Sequence, residues 1–310
     1  MSRIDEALRR ATQTAPVSSD SSTAASALAG MSIEIDPSTL DAYVVEEPRK
    51  PRESVAAFPK PAASRLQVQA APRPIIVPEA FQSRLVVGRT ISSATVEQYR
   101  RLAAILHELH EKEGLKRLMV TSAVPAEGKT LTIANVALTL SESFRQRVLL
   151  VDADLRRPSL HDLFGVPNGT GVSDVVAGSG HSISPLQISS CLSLLTAGQR
   201  LSSPLVMLTS ERLRDIIVDA SEHFDWVLLD TPPVGLLPDA QLAARMSDAA
   251  LFVIAAGSTP YRLVQRAIAD LNPERIVGTV LNRVDKRMLE TSGSYGSYYD
   301  GAALHEAGTR

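Results

Sequence analysis

The segment 123–130, which reads A-V-P-A-E-G-K-T, constrains this chain more than any other stretch of its sequence. The apolar run before it, at 118–121, predicts a buried strand, and the run after it, at 131–140, predicts a helix with one apolar face. A strand that feeds a tight loop into a helix start aims backbone N–H groups at one point, where the helix dipole also favours negative charge. The spacing is that of a Walker A phosphate loop, with Ala123 where glycine is the commoner first residue.

The Walker A spacing assigns a role to each residue of this loop. The backbone amides are expected to surround the phosphates of a bound nucleoside triphosphate, namely those of Ala126, Glu127, Gly128, Lys129, Thr130 and Leu131. The ammonium group of Lys129 is expected to reach the terminal phosphates, and the hydroxyl of Thr130 to hold Mg²⁺. The pattern is only moderately specific when it stands alone, because glycine-rich loops match it by chance.

A second apolar run, at 148–152, ends in a carboxylate, and a second carboxylate follows two residues later. Asp152 and Asp154 point to the same side of an extended strand, so both can face one site. Two acids beside a triphosphate repel it unless a divalent metal ion or a proton lies between them. The alternative is that these aspartates cap the next helix at Pro158, which fits Asp154 better than Asp152.

A third apolar run, W-V-L-L-D at 226–230, also ends in an acid and is stopped at once by Pro232 and Pro233. This is the form of a Walker B element, whose carboxylate, here Asp230, supports the Mg²⁺ shell, usually through water.

The order of elements predicts an α/β fold. A helix at 96–113 precedes the first strand, and strands near 148–152, 226–230, 250–255 and 276–281 alternate with helical segments. Such alternation favours a mostly parallel sheet with helices on both faces, with ligand at the carboxyl ends of the strands. Each of the three motifs lies at such an end.

Together, the phosphate loop, the D-x-D-x-R sequence at 152–156 and the D-x-P-P sequence at 230–233 resemble the bacterial protein-tyrosine kinases that govern exopolysaccharide and capsule assembly. The resemblance covers about residues 85–300 and includes V-L-N-R-V-D at 280–285. It implies a P-loop NTPase fold of the partitioning-ATPase type and phosphoryl transfer from Mg-ATP to tyrosine. It also implies that Asn282 contacts adenine, although a turn residue is an open alternative.

Under this resemblance the two acids of D-x-D-x-R become catalytic candidates beside Lys129. Asp152 is the better candidate for orienting or deprotonating the incoming phenol, and Asp154 for supporting the metal shell, but the sequence does not fix that division. A phenol of pKa about 10 needs such help to attack at neutral pH.

Three of the six tyrosines, Tyr295, Tyr298 and Tyr299, lie within five residues near the C-terminus, among serines and glycines. This composition predicts a flexible tail at 289–310. The resemblance implies that these tyrosines are the autophosphorylation sites, whereas an exposed peptide for partner binding is the alternative. The ten residues from Asp285 to Tyr295 span at most about 33–36 Å, enough to enter a neighbouring molecule's site.

Residues 1–82 differ in composition from the domain predicted at 83–288. They contain nine of the nineteen prolines together with Ser/Ala-rich runs, which predicts a mostly disordered linker. The capping-box spacing at 2–5, with Ile4 and Leu8 at helical intervals, predicts a short basic amphipathic helix. That helix suits docking to a partner or to an anionic membrane face, and a frayed terminus is equally open.

Composition favours a cytoplasmic enzyme. The net charge of −2 gives no support for a nucleic-acid partner, and the single cysteine, Cys191, cannot form an internal disulfide. No apolar run approaches the roughly 20 residues of a membrane span. Relatives in the resembled family are fused to a membrane-spanning regulator, so we expect the partner here to be a separate membrane-bound chain-length regulator that recruits the chain to the inner face of the membrane.

Glu97 and Arg100 match the start of the family's E-x-x-R-x-x-R self-association motif, but Ala103 stands where the second arginine belongs. A homo-oligomer is therefore expected, although Glu97 and Arg100 are equally consistent with a surface ion pair.

The alternative function is a partitioning or positioning ATPase switch without kinase activity. Such proteins carry an extra lysine five positions before the loop lysine, and Val124 occupies that position here. A third class, a nucleotide-sensing scaffold, requires damaged acids, and all three acids are present.

Overall fold

The computed structural model of this chain describes residues 77–177, 184–199, 208–235 and 238–284. The helix predicted around Ile4 and Leu8, and the tyrosines Tyr295, Tyr298 and Tyr299, lie outside the described residues.

The described residues form strands and helices that alternate along most of the chain. The strands are β1 (Arg117–Ser122), β2 (Val148–Asp152), β3 (Leu186–Gln187), β4 (Leu192–Leu195), β5 (Trp226–Asp230), β6 (Ala249–Ala255) and β7 (Ile276–Asn282). The helices are α1 (Ser93–Glu113), α2 (Lys129–Ser143), α3 (Leu160–Phe164), α4 (Val172–Ala177), α5 (Glu211–His223), α6 (Asp239–Ala244) and α7 (Tyr261–Leu271). Short 3-10 helices occupy Glu79–Phe81 and Pro273–Arg275.

The strands form one sheet in the order β3-β4-β2-β5-β1-β6-β7. All neighbouring pairs are parallel except β3 with β4. The predicted, mostly parallel α/β sheet is thus confirmed, and the prediction missed only β3 and β4. The central position of β1 and β5 puts the phosphate loop and the Walker B acid beside each other.

Both faces of the sheet are buried, which explains why its strands read as continuous apolar runs. Along β1, Met119 packs with α5, α6 and α7 on one face, whereas Leu118 and Val120 pack with α1, α2 and α3 on the other. Helices therefore cover both faces, and the carboxyl ends of the strands are left free for a ligand.

Residues 77–92 form a segment, here called the strap, that packs against α2. The side chain of Leu85 is fully buried. The side chain of Asn135, inside α2, accepts a hydrogen bond from Val86 N–H at 2.8 Å and donates one to the carbonyl of Arg84 at 2.9 Å. Val77 and Phe81, which the sequence analysis assigned to the linker, also pack against the core cluster that contains α2.

Helix α1 contains the incomplete self-association motif. Ala103, at the position of the missing arginine, is fully buried in the core beneath α1. Glu97 lies 3.8 Å from the guanidinium of Arg100 and 3.7 Å from that of Arg101. An arginine at position 103 would have to leave this core, so in this chain the position serves packing.

Among the helices of the described residues, none combines the length and the apolar character needed to cross a membrane.

We predict that Asn135→Leu releases the strap. The substitution leaves the partly buried amide of Val86 without its acceptor, and an unsatisfied buried amide costs about 1–3 kcal/mol. Hydrogen exchange at the Val86 amide should therefore become faster by at least about 5-fold, the lower end of that range. Thr139→Val is the matched control, because the Thr139 hydroxyl bonds only to the carbonyl of Asn135 within α2. Unchanged exchange at Val86 would show that the strap is held elsewhere.

Candidate active site

The phosphate loop joins β1 to α2 through a backbone that requires glycine at one point. Gly128 precedes α2 with a φ of 96°. A Cβ atom at this position would lie 2.1 Å from the side-chain nitrogen of Asn282. The first hydrogen bond of the helix runs from Thr132 N–H to the carbonyl of Gly128 at 2.9 Å. The preceding amides, those of Lys129, Thr130 and Leu131, have no partner within the helix and are available for phosphate oxygens.

The side chain of Glu127 turns away from the phosphate position. Its buried carboxylate accepts hydrogen bonds from Val124 N–H at 2.8 Å, Ala255 N–H at 3.0 Å and the Thr259 hydroxyl at 2.5 Å. An acid pointing into a phosphate loop would repel the ligand, and these three donors hold it elsewhere. Only the backbone of Glu127 is thus available to a nucleotide, while its carboxylate fixes the loop to the end of β6.

Asn282, at the end of β7, holds the same loop from the other side. Its side-chain nitrogen donates to the carbonyl of Glu127 at 2.8 Å, and its side-chain oxygen accepts from Arg283 N–H at 2.9 Å. Asn282 therefore lies directly against the phosphate loop. Its predicted contact with adenine remains a prediction.

Asp152 and Asp230 lie side by side at the carboxyl ends of β2 and β5, where they are register partners. Both side chains are fully buried. One oxygen of Asp152 accepts from the amides of Ser159 and Leu160, each at 3.1 Å. Its other oxygen and both oxygens of Asp230 have no hydrogen-bond partner among the described residues. Three buried carboxylate oxygens thus lack a close hydrogen-bond donor, although the Thr130 side chain lies near enough to Asp230 to lower its pKa.

The charges of these acids are strongly perturbed. Burial raises the pKa of Asp152 to about 7. Burial and the neighbouring Asp152 carboxylate raise the pKa of Asp230 well above its ordinary value. The pKa of Asp154 is also raised by burial, although the nearby Lys129 charge acts in the opposite direction. Without a counter-charge, the site therefore favours protonated carboxyls.

The unsatisfied oxygens fit a hard divalent cation. Mg²⁺ in nucleotide sites is held by one or two carboxylates, waters and phosphate oxygens rather than by an all-protein cage. Asp152, Asp230 and the Thr130 hydroxyl are the residues that would hold it. The described residues contain no cluster of three or more His, Cys, Asp or Glu side chains suited to a metal ion.

A cavity of about 670 Å³ opens in front of the loop. Of the residues predicted from the sequence, it is lined by Ala126, Gly128, Lys129, Thr130, Leu131 and Asp154. The remaining predicted residues of the described part do not line it, namely Glu127, Asp152, Asp230 and Asn282. Lining residues that the sequence analysis did not assign to the site include Phe81, Arg84, Arg156, Arg157, Ser159 and Arg283.

Arg156 links the D-x-D-x-R motif to the start of α6. Its guanidinium donates to the buried carboxylate of Asp239, with Nε 2.5 Å from one oxygen and the terminal nitrogen 3.3 Å from the other. This pair joins the turn after β2 to the start of α6. The arginine of D-x-D-x-R was visible in the sequence, but its partner, 83 residues away, carries no local signal.

Comparisons with known proteins identify relatives of this chain. The chain is 30% identical over 222 residues to tyrosine-protein kinase YwqD of Bacillus subtilis, which covers 70% of this chain and 92% of that protein. It is 33% identical over 211 residues to tyrosine-protein kinase wzc of Salmonella typhimurium, covering 66% of this chain but only 29% of that protein. No protein-family model matches the chain.

Two solved structures of kinase domains also match this chain. The kinase domain of the Escherichia coli tyrosine kinase ETK matches with a TM-score of 0.58 and 33% identity, covering 62% of this chain and 76% of that one. The VpsO kinase domain matches with a TM-score of 0.53 and 28% identity, covering 63% of this chain and 100% of that one.

The parallel sheet, the phosphate loop at the end of β1 and the two strand-end acids define a nucleotide-binding P-loop NTPase. Within that class, the chain belongs to the bacterial tyrosine-protein kinases. The resemblance stated from its motifs is thereby confirmed, and the kinase interpretation fits better than a partitioning ATPase without kinase activity.

The raised pKa of Asp152 predicts that the metal-free protein becomes less stable as the pH rises. An unfolded aspartate has a pKa near 4, whereas burial raises the pKa of Asp152 to about 7 in the fold. Between these values the folded chain holds a proton that the unfolded chain has released, so stability falls as the pH rises through this window. We expect the melting temperature without Mg²⁺ to decrease from about pH 5 to about pH 8.

Asp152→Asn is the control for this pH dependence, since an amide keeps the shape of the side chain but does not titrate. It should make the profile less steep but not flat, because the pKa values of Asp230 and Asp154 are also raised by burial. Mg²⁺ with nucleotide should stabilise the wild type more at the upper pH. An equally steep profile in Asp152→Asn would assign the dependence to other groups.

We also predict that Glu127→Ala loosens the phosphate loop. It removes three hydrogen bonds that anchor the loop, each worth about 1 kcal/mol net. Nucleotide affinity should therefore fall by about 10-fold or more, which titration calorimetry measures directly. Glu142→Ala is a suitable control, because its carboxylate bonds to Ser189 away from the loop. Equal affinity in Glu127→Ala and the wild type would contradict an anchoring role.

Proposed function

We propose that this tyrosine-protein kinase is an ATP-dependent autokinase that phosphorylates Tyr295, Tyr298 and Tyr299 in its own C-terminal tail. The observation that carries the proposal is the set of unsatisfied carboxylate oxygens of Asp152 and Asp230 behind a phosphate loop. Such a set suits Mg-ATP, and the tail offers three hydroxyl acceptors in a polar sequence with no apolar neighbours.

In the proposed reaction, the protein acts by positioning and by neutralising charge. Lys129 and the loop amides hold the β- and γ-phosphates. Mg²⁺ bound through Thr130, Asp152 and Asp230 would supply counter-charge to the phosphates. We infer that Asp154 orients the acceptor phenol, because Asp154 lines the cavity whereas Asp152 lies behind its wall.

We further propose that the protein acts in the cytoplasm in exopolysaccharide or capsule synthesis and export. Its partner would be a separate membrane-bound chain-length regulator, which recruits it to the inner face of the membrane. Relatives of two kinds support a separate partner. The match covers 92% of YwqD and 95% of the putative tyrosine-protein kinase CapB of Staphylococcus aureus, but only 29% of wzc and of the Escherichia coli tyrosine-protein kinase etk. A homo-oligomer in which tails reach neighbouring sites belongs to the same proposal.

Replacing Tyr295, Tyr298 and Tyr299 together by phenylalanine tests the acceptor assignment. Autophosphorylation with Mg-ATP should be almost abolished, because the hydroxyls that receive phosphate are gone. ATP binding should remain, since the phosphate loop is unchanged. Intact mass and phosphopeptide mapping measure the result. Undiminished phosphate on Tyr43, Tyr99 or Tyr261 would show that the tail is not the main acceptor.

Lys129→Met is the matching loss-of-activity variant. It removes the charge beside the transferred phosphate but keeps most of the side-chain bulk. Autophosphorylation should fall by at least about 100-fold, as expected for one positioned electrostatic group. Near-normal phosphotyrosine in this variant would remove Lys129 from the mechanism.

A further inference from the structure

The strap contributes part of the wall of the active-site cavity. Phe81 and Arg84 line it, opposite residues of the phosphate loop and of the turn after β2. The two hydrogen bonds from Asn135 fix the strap to α2, and α2 begins at Lys129. Phe81 and Arg84 are therefore held in register with the phosphate-binding residues.

The strap packs on the same face of the sheet as α3. Phe81 packs against the same core cluster as Leu131 and Leu163, and Leu163 belongs to α3, which follows β2. Asn282 and Arg283 approach the loop from β7, at the opposite side of β1 in the sheet. The strap and Asp154 thus line the same cavity.

The cavity mouth carries more positive charge than its own acids neutralise. Arg156 is paired with Asp239. The exposed guanidinium groups of Arg84, Arg157 and Arg283 make no hydrogen bond or ion pair with any other described residue. The acids that line the cavity are Asp154 and Asp162. Unpaired guanidinium groups around a cavity favour an anionic ligand.

The positions of Arg84 and Arg157 are explained more simply by an acidic acceptor peptide than by the phosphates of a nucleotide. Lys129 and the free amides of α2 already face the phosphate position, and the metal site is formed by Asp152, Asp230 and Thr130. Arg157 lies beside Asp154, to which its backbone amide donates, and Arg84 belongs to the strap wall of the same cavity. A neutral phenol is not attracted by these guanidinium groups, whereas an acidic group next to that phenol is attracted by them.

We propose that Phe81, Arg84 and Arg157 form an acceptor-binding groove that selects tyrosines with a negatively charged neighbour. The aromatic ring of Phe81 packs on the acceptor peptide, and the two guanidinium groups bind a carboxylate beside the tyrosine. This inference rests on the proposed kinase function. The chain itself contains a matching sequence, because Asp300 follows Tyr299 directly.

Peptide binding and phosphorylation test the groove. The enzyme is the full chain with Tyr295, Tyr298 and Tyr299 changed to phenylalanine, so that its own tail does not accept phosphate. The substrate is a synthetic peptide of residues 289–305 in which Tyr299 is the sole tyrosine, made either with Asp300 or with Asp300→Asn. Fluorescence anisotropy gives the peptide Kd, and phosphate transfer gives KM and kcat.

Arg84→Gln should raise the Kd and KM for the Asp300 peptide by about 10-fold, the effect of one charge-assisted hydrogen bond. The kcat at saturating peptide and the KM for ATP should stay within about twofold, because the reacting groups are untouched. With the parent enzyme, the Asp300→Asn peptide should show a similar rise in Kd and KM. With the Arg84→Gln enzyme, the same peptide change should raise Kd and KM little further. A higher salt concentration should reduce the difference in Kd between the two peptides.

Arg89→Gln is the matched control. Arg89 is an exposed arginine of the same strap that does not line the cavity, and only its backbone amide bonds to Gln82. This variant should bind both peptides like its parent.

Three outcomes would overturn the inference: equal binding of the two peptides, a change in the KM for ATP alone, or an equal loss in Arg89→Gln. The proposed function fails in a different way. If the acidic peptide binds through Arg84 but neither peptide nor wild-type tail is phosphorylated, the groove stands and the kinase assignment falls.

Discussion

The site depends on how the phosphate loop is held between two strands. Ala126 and Gly128 both have positive φ values, of 63° and 96°, a backbone region that costs a residue with a Cβ about 1–2 kcal/mol. The loop keeps this shape because the carboxylate of Glu127 bonds to the end of β6 and the amide of Asn282 bonds to the loop from β7. These contacts fix the amides before the nucleotide arrives, so binding does not have to order them.

Negative charge that the protein leaves uncompensated is concentrated at the carboxyl ends of the strands, next to the phosphate loop. Asp152 and Asp230 lie next to each other because β2 and β5 are parallel neighbours that end at the same level. Burial makes their ionised forms costly, and this cost is recovered only when a cation and phosphates complete the site. The instability of the empty site and its affinity for a metal-bound nucleotide thus share one physical origin.

The sequence predicted the elements that depend on local pattern and missed those that depend on distant partners. Strands β1, β2, β5, β6 and β7 are continuous apolar runs, so their existence followed directly. Strands β3 and β4 span two and four residues, too short to carry a period. The side-chain direction of Glu127 and the pairing of Arg156 with Asp239 required the fold itself, because their partners lie far along the chain.

The strap shows why function could not be assigned to every part of the site from motifs. Its first residues, 77–82, fall within the proline-rich segment predicted as linker, and the residue that holds it, Asn135, is a polar residue inside a helix. Only the packed structure brings Phe81 and Arg84 to the cavity that the motifs define. The phosphate-binding half of the site is thus encoded in short motifs. The strap wall of the cavity is built by tertiary packing, which short motifs do not encode.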